Sequence, residues 1–120
     1  MTVGYYPGWD SGFVKDYLDE LRGDGQRRKA AVRILQDIQD LSLSWPPPRH
    51  LTVKIMRGRE PLWELIREYQ GIEYRVFFCK KERDIWLLHN IEKKRKKTPE
   101  NDLKTAYDRM QNVLSGKVRR

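Results

Sequence analysis

The chain has 120 residues, with 25 lysines and arginines against 17 acids, a formal net charge of +8 and a pI near 9.7. That length suits a single domain over residues 1–120, and the charge favours an anionic partner: nucleic acid, an acidic protein or an anionic membrane surface. No apolar run approaches the roughly 18 residues a membrane span needs, the start lacks the charged and apolar regions of a secretory signal, and the lone cysteine, Cys79, has no partner for an internal disulfide. The expected setting is the cytoplasm, with a reduced thiol buried in a strand.

In chain order, residues 2–6 read as a short first strand because Val3, Tyr5 and Tyr6 suit extended conformations, and Pro7-Gly8 ends it. Asp10 or Ser11 is placed to cap a first helix, along which Phe13, Tyr17, Leu18 and Leu21 share one stripe. Gly23-Asp24-Gly25 stops that helix. A second starts near Gln26, burying Ala31, Ile34, Leu35, Ile38 and Leu41 and turning Arg27, Lys29, Arg33 and Asp37 outward. So short a break predicts an antiparallel helical hairpin. Ser44-Trp45-Pro46-Pro47-Pro48 then reads as a stiff hinge between two halves of the domain.

From Leu51 the apolar period changes to two. Strands are predicted from Leu51 onward and over 62–69, 73–80 and 84–91, separated by Arg57 to Pro61, by a turn at Gly71 and by a charged turn after Lys80. Connections this short pair neighbouring strands antiparallel. Thr98 is expected to cap a last helix with Pro99 at its first position; Leu103, Ala106, Tyr107, Met110, Val113 and Leu114 line its apolar face. Gly116 ends it and leaves a basic tail, read as mobile. The fold class is therefore α+β: an N-terminal helical hairpin packed on a twisted antiparallel sheet of about four strands, with a C-terminal helix.

The residues exclude several chemistries. One cysteine and two histidines, His50 and His89, lack metal-site spacing, and neither a Gly-rich phosphate loop nor a Gly-x-Ser-x-Gly elbow is present. Neither a metal nor a cofactor is expected. A basic constellation remains. Alternation in 74–80 sets Tyr74, Val76, Phe78 and Lys80 on one face and Arg75, Phe77 and Cys79 on the other. Arg75 among large apolar neighbours needs a partner: either a strand carboxylate such as Glu64, or a phosphate gripped at two points. Five consecutive cations, Lys93, Lys94, Arg95, Lys96 and Lys97, follow the last strand. His89 reads first as a hydrogen-bonded structural residue. Trp63, Trp86, Phe77 and Phe78 read mainly as core, with one or two on an open sheet face able to stack on bases.

These pieces resemble, in order and spacing, the RelE/ParE superfamily of type II toxins, and within it the HigB-like branch that includes phage-derived Gp49-like proteins. The resemblance rests on Leu62-Trp63-Glu64-Leu65, Tyr74-Arg75, Leu87-Leu88-His89, Lys93-Lys94 with Lys97-Thr98-Pro99, and Ala106 with Arg109. It implies a metal-independent, ribosome-dependent mRNA endoribonuclease that a cognate antitoxin neutralises, the antitoxin being of helix-turn-helix type. By the same resemblance Arg75, Lys93, Lys97 and His89 are the candidate catalytic residues, and Arg67, Lys94, Arg95, Lys96 and Lys54 the candidate RNA contacts. Two positions depart from the family pattern. The arginine usual after Glu-Leu is Ile66 here, with Arg67 one place later, and Leu103 stands where the RelE branch has a tyrosine. A one-residue offset turns a strand side chain to the other sheet face unless a bulge corrects it. The alternatives are a ParE-like gyrase inhibitor and an inactive antitoxin-binding homologue.

Overall fold

Apolar residues on both faces of the longest strands require cover on both sides of the sheet, and the computed structural model, which describes residues 1–93 and 98–120, supplies it. The elements are β1 (Thr2–Tyr5), α1 (Phe13–Gly23), α2 (Arg28–Leu43), β2 (Thr52–Ile55), β3 (Trp63–Tyr69), β4 (Ile72–Lys81), β5 (Asp84–Lys93) and α3 (Glu100–Leu114). The class is α+β, as the sequence predicts. Among the described residues the sheet has five strands in the order β1-β5-β4-β3-β2, one more than expected. The fifth is the short first strand, β1, which joins the sheet parallel to β5 from Thr2 opposite Asp84 to Tyr5 opposite Leu87. The other neighbours pair antiparallel.

The two faces have separate cores. Val14, Leu18 and Leu21 of α1 and Ala31, Ile34, Ile38 and Leu41 of α2 pack on Leu65, Tyr74, Val76, Phe78, Ile85 and Leu87. Leu103, Ala106, Met110 and Val113 of α3 pack on Leu62, Phe77, Cys79, Trp86 and Leu88. The alternation read along β4 therefore holds, with even positions under the hairpin and odd positions under α3. Gln70 and Gly71 form the two-residue β3–β4 turn, both at positive φ (52° and 81°), a conformation glycine adopts without strain. Gly4 is required by close approach, since a Cβ there would sit 1.9 Å from the Trp9 ring.

Several local expectations change. Gly12, not Asp10 or Ser11, occupies the N-cap of α1, without a side-chain cap bond. Pro99 is the N-cap of α3, because the Thr98 hydroxyl is taken up elsewhere. Asp37, read as solvent-facing, is buried on the hairpin's inner side. Trp45 packs edge-on against Trp63, with ring centroids 5.0 Å apart, so the proline-rich connection is pinned to the core rather than hinged. The basic tail is docked as well: Arg120 bonds Asp84 at 3.0 Å and lies over the Trp9 ring, and Val118 packs against the α3-side core.

Candidate nucleic-acid interface

One irregularity in the ladder decides which polar groups meet. Phe77 of β4 faces His89 of β5, while Phe78 faces Leu87, so the register skips Leu88. Such a bulge moves the remainder of β5 by one position and exchanges the faces of its side chains. Beyond it His89, Ile91 and Lys93 point to the α3 side, where strict alternation would have put Asn90 and Glu92. Glu92 instead reaches the hairpin, where it bonds Tyr17 and pairs with Arg27.

Three cross-strand rows result on the α3 side: Lys54, Glu64, Phe77 and His89; then Thr52, Ile66, Arg75 and Ile91; then Glu68, Glu73 and Lys93. Same-face rows lie roughly 7 Å apart. The outer strands leave a groove of about 340 Å³ lined by Thr52, Lys54, Ile66, Glu68, Glu73 and Arg75.

Arg75 is the best-anchored residue of this face. Only 6% exposed, it donates through Nη1 to both oxygens of Glu64 (3.4 and 3.3 Å) and to the Thr98 hydroxyl at 2.8 Å. Its Nε and Nη2 donate to Oε1 of Glu73 at 3.2 and 2.6 Å. The ion pair with Glu64, one of the two readings open from sequence, is thus present. The guanidinium is nevertheless a wall of the groove, held on two sides by carboxylates that fix its plane. Burial, and then the charge of Arg75, hold the Lys93 ammonium below its usual range, while Glu64, Asp102 and Glu73 act in the opposite direction.

His89 belongs to α3 as much as to the sheet. Its Nε2 bonds Asp102 at 2.8 Å, its Nδ1 lies 3.4 Å from Nη1 of Arg109, and its ring stacks on Phe77. Arg109 can only donate, so Nδ1 accepts, and the proton resides on Nε2, which donates to Asp102. The same guanidinium donates to the Leu88 carbonyl at 2.8 Å and covers the Phe13 ring. His89 is therefore a tether for α3, in keeping with its structural reading.

The predicted site residues divide. Arg75 and Lys54 line the groove, Lys93 stands in the adjoining row, and His89 lies in the row of Glu64. Arg67 does not join them. It points to the opposite face and grips Asp37 of α2 through two bonds of 2.7 and 2.6 Å. No bulge interrupts the β3–β4 pairing, so the offset from the family position is not corrected and Ile66 occupies the groove wall. Phe77, Phe78 and Trp86 are buried, and Trp63 packs under the hairpin, so none of the four offers a ring to a base in the groove. Leu103 is buried against the sheet. Lys94, Arg95, Lys96 and Lys97 lie outside the described residues.

Sequence reasoning passed over Glu73 and Glu68. Period-two spacing from Arg75 already puts Glu73 on its face, and the Gln70-Gly71 turn puts Glu68 opposite Glu73. Thr98 has the sequence context of a helix cap and Arg109 that of a motif position; both instead bond the sheet. Among the described residues no group of three or more histidine, cysteine or acidic side chains could hold a metal ion, and no helix is long and apolar enough to cross a membrane.

Comparison with curated proteins gave no match, nor did comparison with solved structures. The phage-derived protein Gp49-like family (DUF891) matches residues 16–111, which include α2, the four antiparallel strands, the groove and most of α3. The chain belongs to this Gp49-like family, a family of RelE/HigB-like toxins.

Proposed function

We propose that the protein is the toxin of a toxin–antitoxin pair and acts as a ribosome-dependent mRNA endoribonuclease in the cytoplasm. The observation that carries this reading is Arg75: a guanidinium fixed in plane by Glu64, Glu73 and Thr98 on the wall of a surface groove. Lys54 adds a cation to that groove, and Lys93 stands beside it, at the head of a run of five basic residues. RNA carries its own nucleophile, the 2′-hydroxyl. A protein that aligns this oxygen with the phosphorus and neutralises the charge gained in the transition state supplies most of what cleavage needs. In this scheme Arg75 binds the scissile phosphate, Lys93 and Lys97 stabilise charge around it, and Lys54, Lys94, Arg95 and Lys96 hold the flanking backbone. His89 orients α3 and is not asked to move a proton.

The partner that restrains this activity is an antitoxin presenting carboxylates to the groove, as a chain of net charge +8 with clustered cations favours. Expression of the chain alone tests the proposal. Growth should stop through arrested translation, without a DNA-damage response, and co-expressed antitoxin should restore it. Growth arrest with DNA breaks and continuing translation would support gyrase inhibition instead.

One observation favours a second reading, an antitoxin-binding protein without activity. Ile66 lines the groove at the position where the resemblance drawn from the sequence implies an arginine, so the groove has one guanidinium fewer to offer a phosphate. Normal growth at high expression of folded protein would support it.

A further inference from the structure

We propose that Glu73 is the general base of the cleavage reaction; this rests on the endoribonuclease reading above. Among the described residues, three carboxylates stand in the cross-strand rows that border the groove, Glu64, Glu68 and Glu73, and their settings differ. Glu64 is 2% exposed, and both of its oxygens are engaged by Arg75, so it cannot meet a ribose. Glu68 is on β3 directly across from Glu73, where two like charges face each other. Glu73 alone combines access with orientation. Its side chain is 31% exposed, it lines the groove, and the two bonds from Arg75 converge on a single oxygen, Oε1. The group that grips the phosphate thereby also aims the carboxylate that stands next to it. A carboxylate in hydrogen-bond reach of the 2′-hydroxyl, beside the phosphate it is to attack, meets the geometric requirement for a base.

The step balances without any co-reactant besides water. Glu73 takes the 2′-hydroxyl proton as O2′ attacks phosphorus, and the O2′–P bond forms. The P–O5′ bond breaks, its electron pair stays on O5′, and O5′ takes a proton from water. The products are a 2′,3′-cyclic phosphate and a 5′-hydroxyl, and the proton on Glu73 returns to solvent. Facing the carboxylate are Arg75 on its own strand, Glu68 from β3, Lys93 from β5 and, across Arg75, Glu64; Lys54 on β2 and Asp102 on α3 are the next charges.

The test compares the full chain with Glu73→Gln and Glu73→Asp on ribosomes carrying a defined message, in single turnovers across pH. The wild type should leave cyclic phosphate ends, at a rate that falls as the medium becomes acid. Glu73→Gln should bind the ribosome as the wild type does and cut about 100- to 10,000-fold more slowly, with that acid limb gone. Glu73→Asp, which keeps the carboxylate at shorter reach, should fall between the two and keep the limb. A Glu73→Gln rate within threefold of wild type, or a slow rate with the wild-type pH profile, overturns the assignment. So does an Asp variant no faster than the Gln variant. A wild type that binds and leaves the message whole overturns the endoribonuclease reading itself, and this inference with it.

Discussion

Arg109 donates to the backbone carbonyl of Leu88, the residue of β5 that the β4–β5 register skips. One side chain of α3 thus closes the bulge that turns His89 and Lys93 toward the groove side. Replacing Arg109 by Met removes this bond from a buried strand, and a loss of about 1–3 kcal/mol is expected in denaturant unfolding. Amide exchange should quicken at residues 88–93 before it does in β3. Unchanged protection there would separate the bulge from Arg109.

Arg75 and Glu64 are both buried, so removing one strands the other. Arg75→Ala should cost about 3–5 kcal/mol, whereas the double variant Arg75→Met with Glu64→Leu should recover much of that loss. Urea midpoints at constant slope measure both. A single variant as stable as the wild type would mean that Glu64 finds another partner. This pairing also bears on toxicity: loss of growth arrest in Arg75→Ala is informative only in protein shown to be folded.

Arg67 acts on the other face. Arg67→Met leaves Asp37, itself only 3% exposed, without its guanidinium, and should cost about 1–3 kcal/mol. Cleavage per folded molecule should be unchanged. A drop in that specific activity would mean that Arg67 reaches the RNA after all.

Cys79 reports on the α3-side core. Burial pushes its thiol from 9.0 up to about 12. The fold therefore disfavours the thiolate: this contribution to stability is intact below pH 9 and declines as the medium is made alkaline through that range. At neutral pH a thiol reagent should label Cys79 only after denaturation. Fast labelling of native protein would show α3 opening away from the sheet.

The residues divide plainly into what could be read beforehand and what could not. Period two along β4 assigned Tyr74, Val76 and Phe78 to one core and Phe77 and Cys79 to the other, because each face is fully covered and a strand side chain has only two directions available. The same rule correctly warned that Arg67 turns away from Arg75. The bulge at Leu88 follows from pairing across two strands plus the pull of Arg109, information that no local window on β5 contains. Asp37 was placed by helical position alone, while its burial is set by an arginine 30 residues further on. Thr98 resembles a helix cap, yet a buried guanidinium competes for the same hydroxyl and takes it. Non-local partners likewise fix β1 on the edge of β5 and Arg120 on Trp9.

Whether the face bearing Arg75 cuts RNA is decided on the ribosome. Purified protein, added to ribosomes halted on a message of known sequence, should yield new 5′ ends at defined positions within the occupied codons. Arg75→Lys, which keeps the charge and loses the two-pronged grip, should be far slower once its folding is verified. Intact message under those conditions, or equal cutting by the lysine variant, would contradict the central role given to this guanidinium.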